Sequence, residues 1–176
     1  MGALAKILIV IIGIALVYVG VQQFGIPIDS YAAIASIDSE FGVGSTALAP
    51  AGQDKIAQYL LELRKLNPRN EDERNAIQMK IELAEMQRQM LVLAQNYPRI
   101  DFSDPECSAS GPLGSADAAA GSALEHARNS IEIQGRLRPV EWVGYLTSDE
   151  TAAAINFSAG ALAETKGTLD YFCGRG

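Results

Sequence analysis

From Ala3 to Val21 the chain reads ALAKILIVIIGIALVYVGV, nineteen residues in which Lys6 is the only charge. A helix rises 1.5 Å per residue, so this stretch spans about 28 Å, close to the hydrocarbon thickness of a bilayer. Tyr18 near its end, followed by Gln22, Gln23 and Phe24, suits an interfacial exit, and Pro27 stops the helix. A cleaved signal peptide is the rival reading, because the n-region MGALAK is short and positive. Its weakness is the cleavage site: the Ala33-x-Ala35 pattern lies far beyond the apolar run. Residues 1–24 are therefore expected to be a retained transmembrane anchor.

Charge sets the expected orientation. The amino terminus and Lys6 lie on one side, whereas the other flank offers Asp29, Asp38, Glu40 and Asp54 before Lys55 appears. The positive-inside rule puts the N-terminus in the cytoplasm and the C-terminal domain outside, a single-pass topology. With about six residues left inside, a receptor with its own cytoplasmic output domain is not expected. The span carries no acidic residue, which argues against a proton-driven helix. Gly13 and Gly20 fall on one helical face and could seat a neighbouring helix. Removing Lys6 from the 14 basic residues leaves 13 against 21 acidic ones outside the membrane. Such an acidic surface repels phosphate backbones, so no nucleic-acid partner is expected. The expected partners are the lipid bilayer and other membrane protein subunits.

The exported part reads as all-α, a bundle of four to five helices. Residues 25–52 form a juxtamembrane short helix, capped by Ser30 and ended by Gly42 and Gly44, with a linker; residues 53–176 form the bundle domain. Ile56, Tyr59, Leu60, Leu63 and Leu66 share one helical face, and Asn67-Pro68 stops that helix. Asn70 and Glu73 make a capping box for a helix over residues 71–97. Along it Ala76, Met79, Leu83, Met86, Met90, Leu93 and Tyr97 form a helix-packing seam, widened by Ile77, Ala84 and Leu91. The four-residue connection NPRN predicts an antiparallel hairpin over residues 53–97. In the second half, Ser115 is expected to cap a helix through Ile131 to Gly135, and Pro139 to start a short one through Trp142 and Tyr145. A Thr147/Glu150 box then launches a helix over residues 148–166 that Gly167 closes.

Little of the chemistry-bearing inventory points to catalysis. Cys107 and Cys173, outside a membrane and without metal-ligand partners, are expected to form one disulfide. Chain-entropy arithmetic values such a closure, of about 67 residues, at about 4 kcal/mol. The acidic neighbours Asp104, Glu106 and Asp170 argue against a reactive thiol. The single histidine, His126, sits between Glu125 and Arg128 and reads as a solvated or capping residue. One His and two distant Cys cannot assemble the usual zinc sites. Met79, Met86 and Met90 could serve as copper ligands, but each holds a seam position where Met fills space. Asp101, Asp104 and Glu106 cluster in DFSDPE as a weak calcium candidate, without EF-hand spacing or its glycine. No phosphate-binding loop, dinucleotide fingerprint or nucleophile elbow occurs. No cofactor and no enzymatic activity is expected.

The leading expectation is thus a non-catalytic accessory or structural subunit of a membrane protein complex. A secreted or tethered ligand-binding module is the alternative. A minor pilin-like envelope protein shares the outline of apolar helix, exported domain and C-terminal disulfide, yet after Gly2 the chain reads ALAKI, without the glutamate that a type IV prepilin carries there.

Overall fold

Helix α1 spans Ser30–Glu40 and starts where the Asp29 side chain accepts a hydrogen bond from the Tyr31 N–H at 3.0 Å. The cap is thus one residue earlier than expected. Ser30 is drawn into the interior, where its hydroxyl donates to the Glu73 carboxylate at 2.7 Å. The structure, a computed structural model, describes residues 29–43, 49–139 and 143–174. The anchor residues Lys6, Gly13, Tyr18 and Gly20 lie outside the described residues.

Helix α2, Gln53–Lys65, buries Ile56, Tyr59, Leu60 and Leu63, the face that its periodicity picks out. Helix α3, Glu71–Asn96, starts at the Asn70 cap, whose side chain accepts from the Glu73 N–H at 2.8 Å. The other half of the expected box is displaced: Glu73 turns to the N–H of Arg69 at 2.9 Å. Gln53 meets Gln95 and Arg64 meets Glu85, so α2 runs antiparallel along the C-terminal half of α3. Leu66 and Asn70 are extended, and this connection carries the chain back past the first turns of α3. The space left beside those turns is filled by α1, which runs parallel to α3 through Ser30–Glu73 and Asp38–Lys80 contacts. Ile34 of α1 belongs to the same core as Ile56, Leu63, Met79 and Leu83.

Helix α4, Pro112–Gln134, starts at Pro112 with Gly111 as its cap, four residues before the expected cap Ser115. Proline suits the first turn because its missing N–H would have no helical partner there. Glu82 on α3 meets His126 and Asn129 on α4, and Leu93 packs near Leu113, so the two helices are antiparallel. Ala116, Ala119, Ala120, Ala123 and Ala127 are all buried, and their short side chains let helices approach closely.

A 3-10 turn, Gly144–Thr147, precedes α5, Asp149–Phe172. The short helix expected from Pro139 falls partly on residues 140–142, outside the described residues; what is described of it is this turn. Ser148, not Thr147, caps α5 by accepting from the Thr151 N–H at 3.1 Å, while the Thr147 hydroxyl donates to the Gly144 carbonyl. Nor does Gly167 close the helix. Leu169, in the next turn, is buried against Leu113, Ala116 and Ala120, and this packing outweighs the cost of about 1 kcal/mol for glycine in a helix. The helix ends before Gly174, whose φ of 62° lies in the left-handed region. Lys166 meets Asp117 at 2.9 Å and Gln134 donates to the Leu146 carbonyl at 2.8 Å, so α5 is antiparallel to α4.

The described residues are thus all-α, five helices and two 3-10 turns without a strand. None of these helices is long and apolar enough to cross a membrane. The start of α4 admits a sharp test. A Cβ on Gly114 would lie 2.0 Å from the Ser108 carbonyl oxygen, so the loop rests directly on the helix. Gly114→Ala should lower unfolding free energy by about 1–3 kcal/mol through overpacking, read as a lower urea midpoint at unchanged slope.

Candidate functional site

Four elements meet at one buried carboxylate. Asp38 of α1 accepts hydrogen bonds from the hydroxyls of Tyr59 on α2, at 2.6 Å, and Tyr145 in the 3-10 turn Gly144–Thr147. Its Oδ1 lies 3.1 Å from Nζ of Lys80 on α3, a lysine only 1% exposed. That ammonium also stands 5.6 and 5.1 Å from the ring centres of Tyr59 and Tyr145, where the negative ring faces attract a cation. Burial pushes the Lys80 pKa below its usual value, opposed by the Asp38 charge. Burial, then the Asp38 charge, pushes both tyrosines up. The consequences have opposite signs. Lys80 makes stability rise with pH just below 10.5. The tyrosines make it fall above about pH 10, because they ionise only in the unfolded chain. The groups of the cluster engage one another, which makes it a brace between elements.

A second cluster closes the same end of α3. Glu73, almost wholly buried, accepts from Ser30, from the Arg69 backbone, and from the Arg69 guanidinium at 2.6 and 2.9 Å. Hydrogen bonding to Arg69 outweighs burial and lowers the Glu73 pKa from 4.5 to about 2. Further along, His126 is neither solvated nor a cap: half-buried, its Nδ1 lies 2.7 Å from Glu82 across the α3–α4 interface. Sequence spacing shows only its neighbours on α4, and the partner comes from another helix.

The seam divides in two. Ala76, Met79, Leu83 and Met86 are buried core, whereas Met90 and Tyr97 are 38% and 39% exposed. With Leu93, Ala94, Pro98 and Thr165 they line an open apolar groove of about 400 Å³ between α3 and α5. The methionines thus sit in core and groove, in line with a space-filling role.

The acidic loop borders a smaller, partly open cavity of about 140 Å³ with a mixed lining, Arg99, Asp101, Asp104 and Glu106 on one hand and Ile100, Pro112 and Leu113 on the other. Asp101 accepts from both the N–H and hydroxyl of Ser103, a local turn. Among the described residues no group of three His, Cys, Asp or Glu side chains is placed to hold a metal ion, so the calcium candidate gains no support. Cys107 and Cys173 are joined in a disulfide, with Cα atoms 5.7 Å apart. Beside it Phe172 packs on Phe102 with ring centres 4.8 Å apart, whereas Tyr171 points outward, 76% exposed. No protein family, curated protein or solved structure matches the chain.

The brace predicts a characteristic double-mutant cycle. Removing one partner, in Asp38→Ala or Lys80→Met, should each cost about 3–5 kcal/mol because a charge is left buried alone. The pair removed together should cost clearly less than the sum, by chemical denaturation. For Glu73 the lowered pKa means its stabilisation is complete above about pH 4.5 and is lost as pH falls towards 2. Glu73→Gln should therefore be less stable at neutral pH and flatten the acid limb of a melting-temperature profile.

Proposed function

We propose that the chain is a non-catalytic accessory subunit of a membrane protein complex, held by its N-terminal apolar segment with the helical domain on the extracytoplasmic side. The observation that carries this reading is the Cys107–Cys173 disulfide, since such bonds persist in oxidising compartments and are rare where thiols are kept reduced. Two features support it. The run from Ala3 to Val21 has the length and composition of a span, and the charge asymmetry around it favours export of the C-terminal domain. The ionisable groups of the buried Asp38 cluster are engaged in bracing helices, which suits a structural role better than a reactive one.

Sealed membrane vesicles of known sidedness test the topology. Protease added from the extracytoplasmic side should remove the helical domain, and alkylation without reductant should leave both cysteines unlabelled. A domain cut only from the cytoplasmic side, or free thiols in the native membrane, would contradict the reading. Extraction in mild detergent should then bring larger subunits with the protein.

A further inference from the structure

The loop before α4 is held across to α5 by few contacts. Among the described residues, the hydrogen bonds of positions 101–110 stay within the loop or join it to Gly111. Across to the last turn of α5 run the Cys107–Cys173 disulfide and the packing of Phe102 on Phe172, with a 3.8 Å approach of Cys107 Sγ to the Phe172 carbonyl oxygen. These contacts cover the small core of Leu113, Ala116, Ala120 and Leu169, which is separate from the main one. The cover is thin, because the partly open cavity bordered by the loop already reaches Leu113. The bond lies at the surface, with Cys107 exposed and Cys173 half-buried.

We propose that this disulfide is a redox latch: on reduction by a dithiol, α5 shortens to Gly167 and its last turn parts from the loop, uncovering Leu113 and Leu169 while the bundle braced at Asp38 stays folded. The reductant's thiolate attacks the exposed Cys107 Sγ, forming a mixed disulfide and expelling Cys173 as a thiolate. The second thiol of the reductant, once deprotonated, attacks its own bridging sulfur and releases the Cys107 thiolate. Two electrons pass to the protein, the dithiol becomes a disulfide, and the two cysteines take up the two protons that it lost. Packing fixes how far the parting runs. Lys166 meets Asp117 of α4 at 2.9 Å, so α5 is pinned up to that residue. Gly167 follows at once, a poor helix residue that stays helical while Leu169 is packed beyond it. The Lys166–Asp170 pair across this hinge is a partly exposed i, i+4 contact and a weak restraint. On the other side the Ser108 carbonyl rests against Gly114, so the freed part of the loop is residues 101–107. The oxidised form is the resting state, and the latch stands independently of the membrane-anchoring reading.

The test uses the full chain in mild detergent, with dithiothreitol as the dithiol and no denaturant. Alkylation and intact mass should show both cysteines reduced while the bundle remains folded. Hydrogen exchange of residues 168–173 should then accelerate about tenfold or more, with α1, α2, α3 and α5 before Lys166 unchanged. Photolytic carbene labelling should reach Leu113 and Leu169 only after reduction, and reoxidation with diamide should restore protection of both. A bond that resists dithiothreitol until denaturant unfolds the bundle would overturn the latch. So would unchanged exchange of residues 168–173 in the reduced protein, or acceleration spread over every helix.

Discussion

The buried Asp38–Lys80 pair is the contact on which the N-terminal half of this fold depends. Asp38, Tyr59, Lys80 and Tyr145 come from four elements far apart in sequence, and one carboxylate holds them together. A lone charge at such a site would cost several kcal/mol in lost hydration. With its partners present that cost becomes a demand for position: α1 must lie where Asp38 reaches Lys80, and the 3-10 turn where Tyr145 reaches Asp38. Apolar contacts such as Ile34 in the core and Phe41 edge-on to Tyr59 supply attraction, but they tolerate sliding more readily than this polar cluster does.

Towards the other end of α3 the fold is held differently. Leu113, Ala116, Ala120 and Leu169 form a small separate core, with Phe102, Phe172 and the disulfide beside it. There the covalent link and aromatic packing fasten the end of α5 to the loop before α4, and Gly114 lets that loop lie against the helix. Between the two ends, α4 presents alanines to its neighbours, so much of the interface is made by close approach. The last turns of α3 exceed what the other helices cover, which leaves Met90 and Tyr97 facing a groove.

Where the sequence carried the answer locally, it was readable. Asn70 caps α3 because its side chain needs only the N–H of Glu73, three residues on, and the buried face of α2 follows from spacing alone. The displaced caps have a local cause too, since Asp29 and Ser148 each stand next to the residue expected to cap, with equally suitable side chains. The extent of α5 and the brace were not legible, because both depend on partners from other helices. A signal for the brace was nevertheless present. Glu73 and Lys80 lie on the stripe of Ile77 and Ala84, and Asp38 lies between Ile34 and Phe41 on α1. Charges on an apolar stripe are either exposed by a narrow interface or buried with partners, and periodicity does not distinguish the two. The two cysteines were legible as a pair because two thiols without other ligands have one simple outcome.

Hydrogen exchange across α1 tests most directly whether the Asp38 brace holds this helix to the bundle. In the parent protein the amides of α1 should exchange nearly as slowly as those of α3. In Asp38→Asn, which keeps the shape but removes the charge, α1 should exchange much faster while α4 and the disulfide-linked end of α5 stay protected. Uniform acceleration of every helix, or unchanged protection of α1, would contradict the assignment of Asp38 as the contact that positions it.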